Sequence, residues 1–299
     1  MIIAGFFVFG LIFGSFLNVC IYRMPRGLSV VHPRSACPAC NSPIAGYDNI
    51  PVLSWLILGG KCRKCKAHIS PRYAVVELLT GALFVLSYLA TDSMAEAARY
   101  SAFSFLLVGL VFTDAETHIL PDLLTWPGMV LGLLFSIFVP VEGPAQTLLE
   151  RWGDFDSRLL SFINSLTGAI FGAAFILGVA FLYHALRRVE GMGMGDAKLM
   201  ALIGAFLGIK LTLVVLLLAT LTGSLFGMLL MLAVWRKRIA RRRERSSEPP
   251  GVVRAKAWHS AKLIFRNFEI PFGVFLGVAA AFAAFLGMPL VHWYLGLYQ

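Results

Sequence analysis

Eight stretches of this chain, residues 2–22, 73–90, 97–113, 123–139, 162–186, 197–209, 211–235 and 268–294, are apolar with few charges. About 20 apolar residues in helical form cross a bilayer core, because lipid offers no partner to an unpaired backbone N–H or C=O. The stretches lack period-two alternation and run too long for barrel strands, which favours helices over a membrane β-barrel. A chain that is 58% hydrophobic and only 14% charged over 299 residues is also too apolar for a water-soluble domain. The expectation is an all-α polytopic membrane protein with about eight transmembrane helices. The sixth stretch is short and is expected to be partly tucked among its neighbours. The first lacks the basic start of a cleaved signal and runs directly into polar motifs.

Charge orients the bundle. Residues 23–72 carry eight Lys or Arg against Asp48 alone, and residues 236–266 carry eleven against Glu244 and Glu248. The positive-inside rule assigns both segments to the cytoplasm. With eight spans, the connections at 114–122 and 186–198 fall on the same side. The connection with Glu142, Glu150, Asp154 and Asp156 falls outside. The net charge of +10 raises the question of nucleic acid, but the Arg-rich run directly follows a span. There cations meet anionic lipid headgroups at about 1 kcal/mol each, so membrane lipids are the expected partner and nucleic acid is not. Ser246 to Gly251, with Pro249-Pro250, reads as a joint.

The first basic loop contains Cys37-Pro38-Ala39-Cys40 and Cys62-Arg63-Lys64-Cys65. Two C-x-x-C pairs 21 residues apart have the spacing of a zinc ribbon, each pair forming one knuckle of a tetrahedral, structural tetrathiolate site. Arg63, Lys64 and Lys66 would favour the thiolates and offset their charge. Two disulfides or a redox dithiol are the alternatives. A cytoplasmic face disfavours the first, and so short a loop lacks the sheet a redox dithiol needs. Cys20, in the first span, reads as a packed thiol.

Asp114 and Asp196 stand where apolar segments meet polar edges. Two carboxylates meeting across a bundle can share one proton, the ionised one activating water while its protonated partner polarises a carbonyl. Capping competes with this reading. Asp196 follows Gly195 at the start of a helix, the place of an N-cap, and Asp122 after Pro121 suits a first helical turn. Asp114 lies at a C-terminal helix end, where a carboxylate opposes the helix dipole and asks for another explanation. Gly191, Gly193 and Gly195 leave room for a substrate backbone. No strand precedes them, so they do not form a nucleotide loop.

These segments resemble a known family, the bacterial type IV prepilin peptidases, which also process pseudopilins of type II secretion. The resemblance rests on Gly14-Ser15-Phe16-Leu17-Asn18-Val19 with Tyr22-Arg23-Met24-Pro25, on Asn49-Ile50-Pro51-Val52-Leu53-Ser54-Trp55 and on the two cysteine pairs. It continues through Ser70-Pro71-Arg72-Tyr73 leading to Glu77, Leu120-Pro121-Asp122 after Asp114, and Gly193-Met194-Gly195-Asp196-Ala197-Lys198. It implies a GxGD aspartyl protease of the inner membrane that cuts the short basic leader of prepilins after a glycine at the cytoplasmic face. Asp114 and Asp196 take the catalytic places; Glu116 and Asp122 do not. Glu116, Asp122 and Glu190 are the local acids available to a basic leader.

Members with the cysteine loop also methylate the new N-terminal amine with S-adenosylmethionine. For that step Glu77 is the residue singled out, followed by Asn18 in the first span and Arg72 at the membrane boundary. Glu77 could take a proton from the amine, or it could be a buried carboxylate tied to Arg72 or Arg23. The resulting organisation is a first helix at 1–22, a zinc-binding loop with methyltransferase motifs at 23–72, and a peptidase domain at 73–299 with a basic loop at 236–266. The long outer connection between Pro140 and Ser161 is expected to lie away from the chemistry. The rival readings are a proton-coupled transporter and a non-enzymatic assembly scaffold. A homodimer is allowed but not required.

Overall fold

The computed structural model describes residues 1–149, 153–188, 193–243, 249–266 and 271–296. Glu150, Arg151, Glu190, Gly191, Glu244, Ser246 and Glu248 therefore lie outside the described residues. The described residues form ten α-helices: α1 Ile2–Arg23, α2 Leu53–Ile57, α3 Arg72–Leu89, α4 Met94–Thr117, α5 Asp122–Phe138, α6 Pro144–Leu149, α7 Ser157–Arg187, α8 Met194–Arg243, α9 Pro250–Arg266 and α10 Phe272–Gly296. Six of them (α1, α3, α4, α7, α8 and α10) are long and apolar enough to cross a membrane, and α5 is a shorter apolar helix.

The 50-residue α8 is not one rod. Gly208 has φ 71° and ψ 174°, a conformation open mainly to glycine, and the chain folds back there into two limbs, 194–207 and 209–243. Contacts with α10 establish the reversal. Leu120 bridges Gly195, at the start of the first limb, to Gly273 at the start of α10, Leu211 just past the turn abuts Gly287 far along α10, and Gly223 and Phe226 of the second limb return to Phe275 at its start. Counting the limbs separately gives eight apolar segments. The first limb, at ~1.5 Å per residue, is about 21 Å long, too short to cross the hydrocarbon alone.

That short limb is the centre of the molecule. Leu199, Met200, Leu202, Ile203, Ala205 and Phe206 are fully or almost fully buried, as expected for a helix that is apolar all round. They pack with Phe103 and Leu110 of α4, Leu124 of α5, Ile176 of α7, Val215 of the second limb and Leu276 of α10. Against α7 the backbones nearly touch. A Cβ on Gly168 would lie 2.8 Å from Gly208 Cα, one on Gly172 would lie 3.0 Å from the Met200 carbonyl carbon, and one on Gly204 would overlap the Gly168 carbonyl. Small residues at four-residue spacing on both helices allow this approach, which in lipid supplies van der Waals packing that larger side chains would prevent. Gly204→Ala is accordingly expected to cost about 1–3 kcal/mol, read as a lowered thermal transition of the detergent-solubilised protein.

The outer connection lies at the Gly208 end of the first limb, opposite the end that carries Asp196. Its first half is not a solvated loop: Val139, Val141 and Ala145 are buried, and Val141 Cγ1 would meet a Cβ on Gly208 at 2.8 Å. Asn164 of α7 accepts from Ala145 N–H at 3.0 Å and donates to the Val141 carbonyl at 3.0 Å, while Ser161 accepts from Val141 N–H at 2.8 Å. The segment folds down onto the turn at Gly208 and fills the depth the short limb leaves, its backbone polar groups satisfied by α7.

A second cluster, with Leu17 and Ile21 of α1, Val76 of α3 and Val108 of α4, attaches the first two long helices. Gly10 and Gly14 of α1 lie against Gly81, Thr80 and Glu77 of α3, where a Cβ would come within 2.7 Å of the Gly81 or Glu77 Cα.

Candidate active site

Asp114 and Asp196 are brought to the same end of the bundle, close enough for their carboxylates to interact electrostatically. Asp114 is buried at 5% exposure in the last turns of α4, which ends at His118 in a left-handed C-cap whose N–H bonds the Asp114 carbonyl. Asp196 is half-buried. It is not the N-cap that its position after Gly195 implies. Helix α8 begins at Met194, so Asp196 is the third helical residue and its N–H bonds the Gly193 carbonyl at 3.2 Å. Its side chain is therefore free of the ordinary capping role.

The dipole problem at Asp114 is solved by α10. Val274 N–H donates to Asp114 Oδ2 at 3.0 Å, and the adjacent Gly273 N–H bonds the same carboxylate. The positive end of α10 thus faces a charge that the end of α4 opposes. Gly273 is required by contact: a Cβ there would stand 2.7 Å from Asp114 Oδ2. Leu120 joins the three helices, since it packs within 3.2 Å of a Cβ built on Gly195 and 3.4 Å of one built on Gly273. Sequence reasoning missed Gly273 and Val274. The available signal was Pro271 two residues ahead of Gly273 at a helix start.

Among the described residues the other local acids, Asp122 and Glu116, are partnered. Lys198 Nζ lies 2.6 Å from Asp122 Oδ1, joining the starts of α5 and α8, and Arg72 Nη1 forms an ion pair with Glu116 Oε1, joining the start of α3 to the end of α4. Both pairs are partly exposed and add little stability. Their value is positional, since each ties a helix end beside an aspartate to a neighbour.

Glu77 forms a second polar centre, buried at 7% exposure. It is not tied to Arg72, which pairs with Glu116, nor to Arg23, whose guanidinium donates to the Ser29 and Pro33 carbonyls. Its Oε2 accepts instead from Val52 N–H at 2.7 Å, and Ser15 and Asn18 of α1 reach the same carboxylate. Asn18 also donates to the Tyr73 carbonyl at 2.9 Å, while its buried Oδ1 accepts from no protein group. Val52 adopts φ 61° and ψ −50°, costly for a β-branched residue and typical of strain held at a working site.

Cys37, Cys40, Cys62 and Cys65 converge with all four Sγ atoms within 4.8 Å of one another. The two knuckles are built alike. Cys37 and Cys62 N–H bond the carbonyls five residues on, Ser42 and Ala67, and Asn41 and Lys66 take positive φ and donate back to Cys37 and Cys62. Ser42, through its hydroxyl and N–H, lowers the Cys40 thiol to about 6, and the Cys65 and Lys64 N–H groups lower Cys62. The Ala67 N–H favours the Cys65 thiolate, but burial and the three neighbouring sulfurs push that thiol up to about 11; four sulfurs crowded at this separation fit a tetrahedral metal site, where a cation would offset their mutual repulsion. Arg63 does not serve the sulfurs. It makes a bidentate pair with Asp48, at 2.8 Å and 2.6 Å, which fastens the second knuckle to residues 46–49.

Residues 8–91 match the bacterial peptidase A24 N-terminal domain, and residues 101–228 match the type IV leader peptidase family. The first region holds Glu77 and the cysteines; the second holds both aspartates. The chain belongs to the type IV leader peptidase family. Among its relatives, a prepilin leader peptidase/N-methyltransferase of Aeromonas salmonicida (strain A449) is 33% identical over 317 residues, 97% of this chain and 92% of the relative. Proteins of the same name from Klebsiella pneumoniae and Myxococcus xanthus (strain DK1622) are 39% and 38% identical, covering 68% and 77% of this chain and 83% and 63% of the relatives. No solved structure matches the chain.

Proposed function

We propose that this protein cleaves the basic leader from type IV prepilins and pseudopilins after a glycine, and then N-methylates the exposed residue. The observation that carries the reading is the meeting of Asp114, Asp196 and the start of α10 at one end of the bundle, in a chain of this family. The basic segments 23–72 and 236–266 adjoin that end and support its assignment to the cytoplasmic face of the inner membrane. A prepilin helix packs laterally in the bilayer and presents its scissile bond at the interface.

Asp114, facing the α10 N–H groups, is the ionised partner, and Asp196 holds the shared proton. Asp114 takes a proton from water as its oxygen adds to the glycine carbonyl carbon, and Asp196 gives its proton to the carbonyl oxygen. Collapse of the tetrahedral intermediate breaks the C–N bond: one diol hydroxyl returns its proton to Asp196 as the new carboxyl group forms, and the amine leaves with the proton held by Asp114. Gly273→Ala pushes that carboxylate aside, and a displacement of about 1 Å costs ~100-fold in cleavage rate.

Methyl transfer belongs to the Glu77 centre. S-adenosylmethionine supplies an electrophilic methyl group when bound. Glu77 accepts the amine proton, the unpaired Asn18 Oδ1 accepts a hydrogen bond from the amine, and Arg72 holds α3 against the peptidase centre through Glu116. Cys37, Cys40, Cys62 and Cys65 would hold a structural zinc ion, which would order the loop and so keep Val52 in place over Glu77. Incubating the purified protein with a prepilin and methyl-labelled S-adenosylmethionine tests the whole reading. A shortened product carrying label on its new N-terminal residue is expected; an intact prepilin would leave the transporter or scaffold reading in its place.

A further inference from the structure

The cysteine loop carries an apolar face that the described residues leave uncovered. In α2, the Ser54 hydroxyl donates to the Tyr47 carbonyl at 3.0 Å and Trp55 Nε1–H donates to the Ile69 carbonyl at 3.2 Å, while a Cβ on Gly60 would stand 3.0 Å from the indole. This side of the helix is fastened to the second knuckle. Leu53, Leu56 and Ile57, at i, i+3 and i+4, consequently turn outward and are 57%, 59% and 79% exposed. With the exposed Ile50 one turn before them, they present more contiguous apolar surface than a solvated loop ordinarily leaves open.

We propose that this face is inserted into the lipid leaflet at the aspartate end of the bundle, so that the loop is seated in the membrane interface and does not stand above it. Val52, which immediately precedes Leu53, sets the depth. Its N–H bonds the Glu77 carboxylate, which Ser15 and Asn18 of α1 also reach. Glu77 lies about 7 Å along the axis of α3 from Arg72, and near that level α1 and α3 already turn Phe16, Val75, Leu78 and Leu79 outward. Leu53 therefore stands at the depth of lipid-facing side chains of two spans, and the apolar surface of the bundle continues into α2. Charge fits the same surface. The knuckle to which α2 is fastened exposes Lys61, Lys64 and Lys66, and Asp48, the single acid of residues 23–72, is paired with Arg63. Lysines next to an apolar turn match anionic headgroups over acyl chains. They would repel a basic leader, which argues against a prepilin as the occupant.

The test places the full-length protein in bilayer nanodiscs of phosphatidylethanolamine and phosphatidylglycerol, with photoreactive p-benzoylphenylalanine in place of Leu56. Irradiation is expected to join position 56 to phospholipid, read as added lipid mass on the peptide that carries it. With Leu53→Glu and Ile57→Glu introduced as well, the adduct yield is expected to fall by at least about tenfold, because two apolar contacts become charges at the hydrocarbon edge. Bound metal certifies the loop in each variant, and Leu53→Gln with Ile57→Gln, which acts in the same direction, serves if the charged pair loses metal. A position 56 that joins a second copy of the chain or an added prepilin in preference to lipid would overturn the proposal and identify that occupant. A position 56 that joins nothing would leave the face in water and overturn it too, as would a lipid yield unchanged by the double substitution. No outcome depends on cleavage or methyl transfer, so the proposed function stands or falls separately.

Discussion

Asp114→Asn and Asp196→Asn are each expected to reduce leader cleavage by at least about 10³-fold, and the double variant to be no worse than either single one. The amide keeps the size of the carboxyl group and can still accept from Val274 N–H, so the fold should survive, and an unchanged thermal transition checks this. What is lost is the exchange of one proton between two oxygens. An Asn at 114 takes no proton from water, and an Asn at 196 gives none to the carbonyl. Methylation of a pre-cleaved pilin peptide should persist in both variants, because Glu77 belongs to a different set of helices. Cleavage that survives either substitution within tenfold would remove the aspartate pair from the reaction. Methylation lost with cleavage would mean that the two centres are one.

Much of this site was legible along the chain because chemistry requires particular residues at particular spacings. The cysteine pairs declared their knuckles, and Asp114 stood out because a carboxylate at a helix C-terminus has no local justification. What was not legible depends on distant contact. Nothing near Asp114 indicates that the start of α10, 160 residues on, supplies its N–H partners. The alternatives for Glu77 stayed open along the chain for a similar reason. Arg72 is its neighbour along α3, but the cysteine loop delivers the Val52 N–H while Arg72 reaches across to Glu116. Gly168 with Gly172 and Gly204 with Gly208 carried a readable four-residue spacing, the signature of two helices in backbone contact. How the outer connection packs was not legible either, because its charged second half hides an apolar first half, Val139 to Ala145, that fills the depth above a short limb.

Removing the metal should have the largest effect on the loop rather than the bundle. Between residues 24 and 71 the buried residues are Cys37, Ser54, Gly60 and Cys62, whereas Leu28, Val31, Ile44, Tyr47, Ile50, Leu53, Leu56 and Ile57 are exposed. A segment of this length with so little core does not hold its shape by burial. Structural zinc contributes an apparent binding free energy of about 10–16 kcal/mol in small sites of this kind, enough to order it. The Cys37→Ser and Cys62→Ser double variant is therefore expected to lose its bound metal and its methyl transfer, and to be cut rapidly by added protease within residues 24–71. The thermal transition of the helices should move little, because both apolar clusters are built from the long helices. Cleavage of leaders should fall less than methylation, since the loop presents Val52 to Glu77 but contributes no group to Asp114 or Asp196. Metal stoichiometry unchanged from the parent would place the ion elsewhere, and a loop equally resistant to protease without it would mean that some other contact orders residues 24–71.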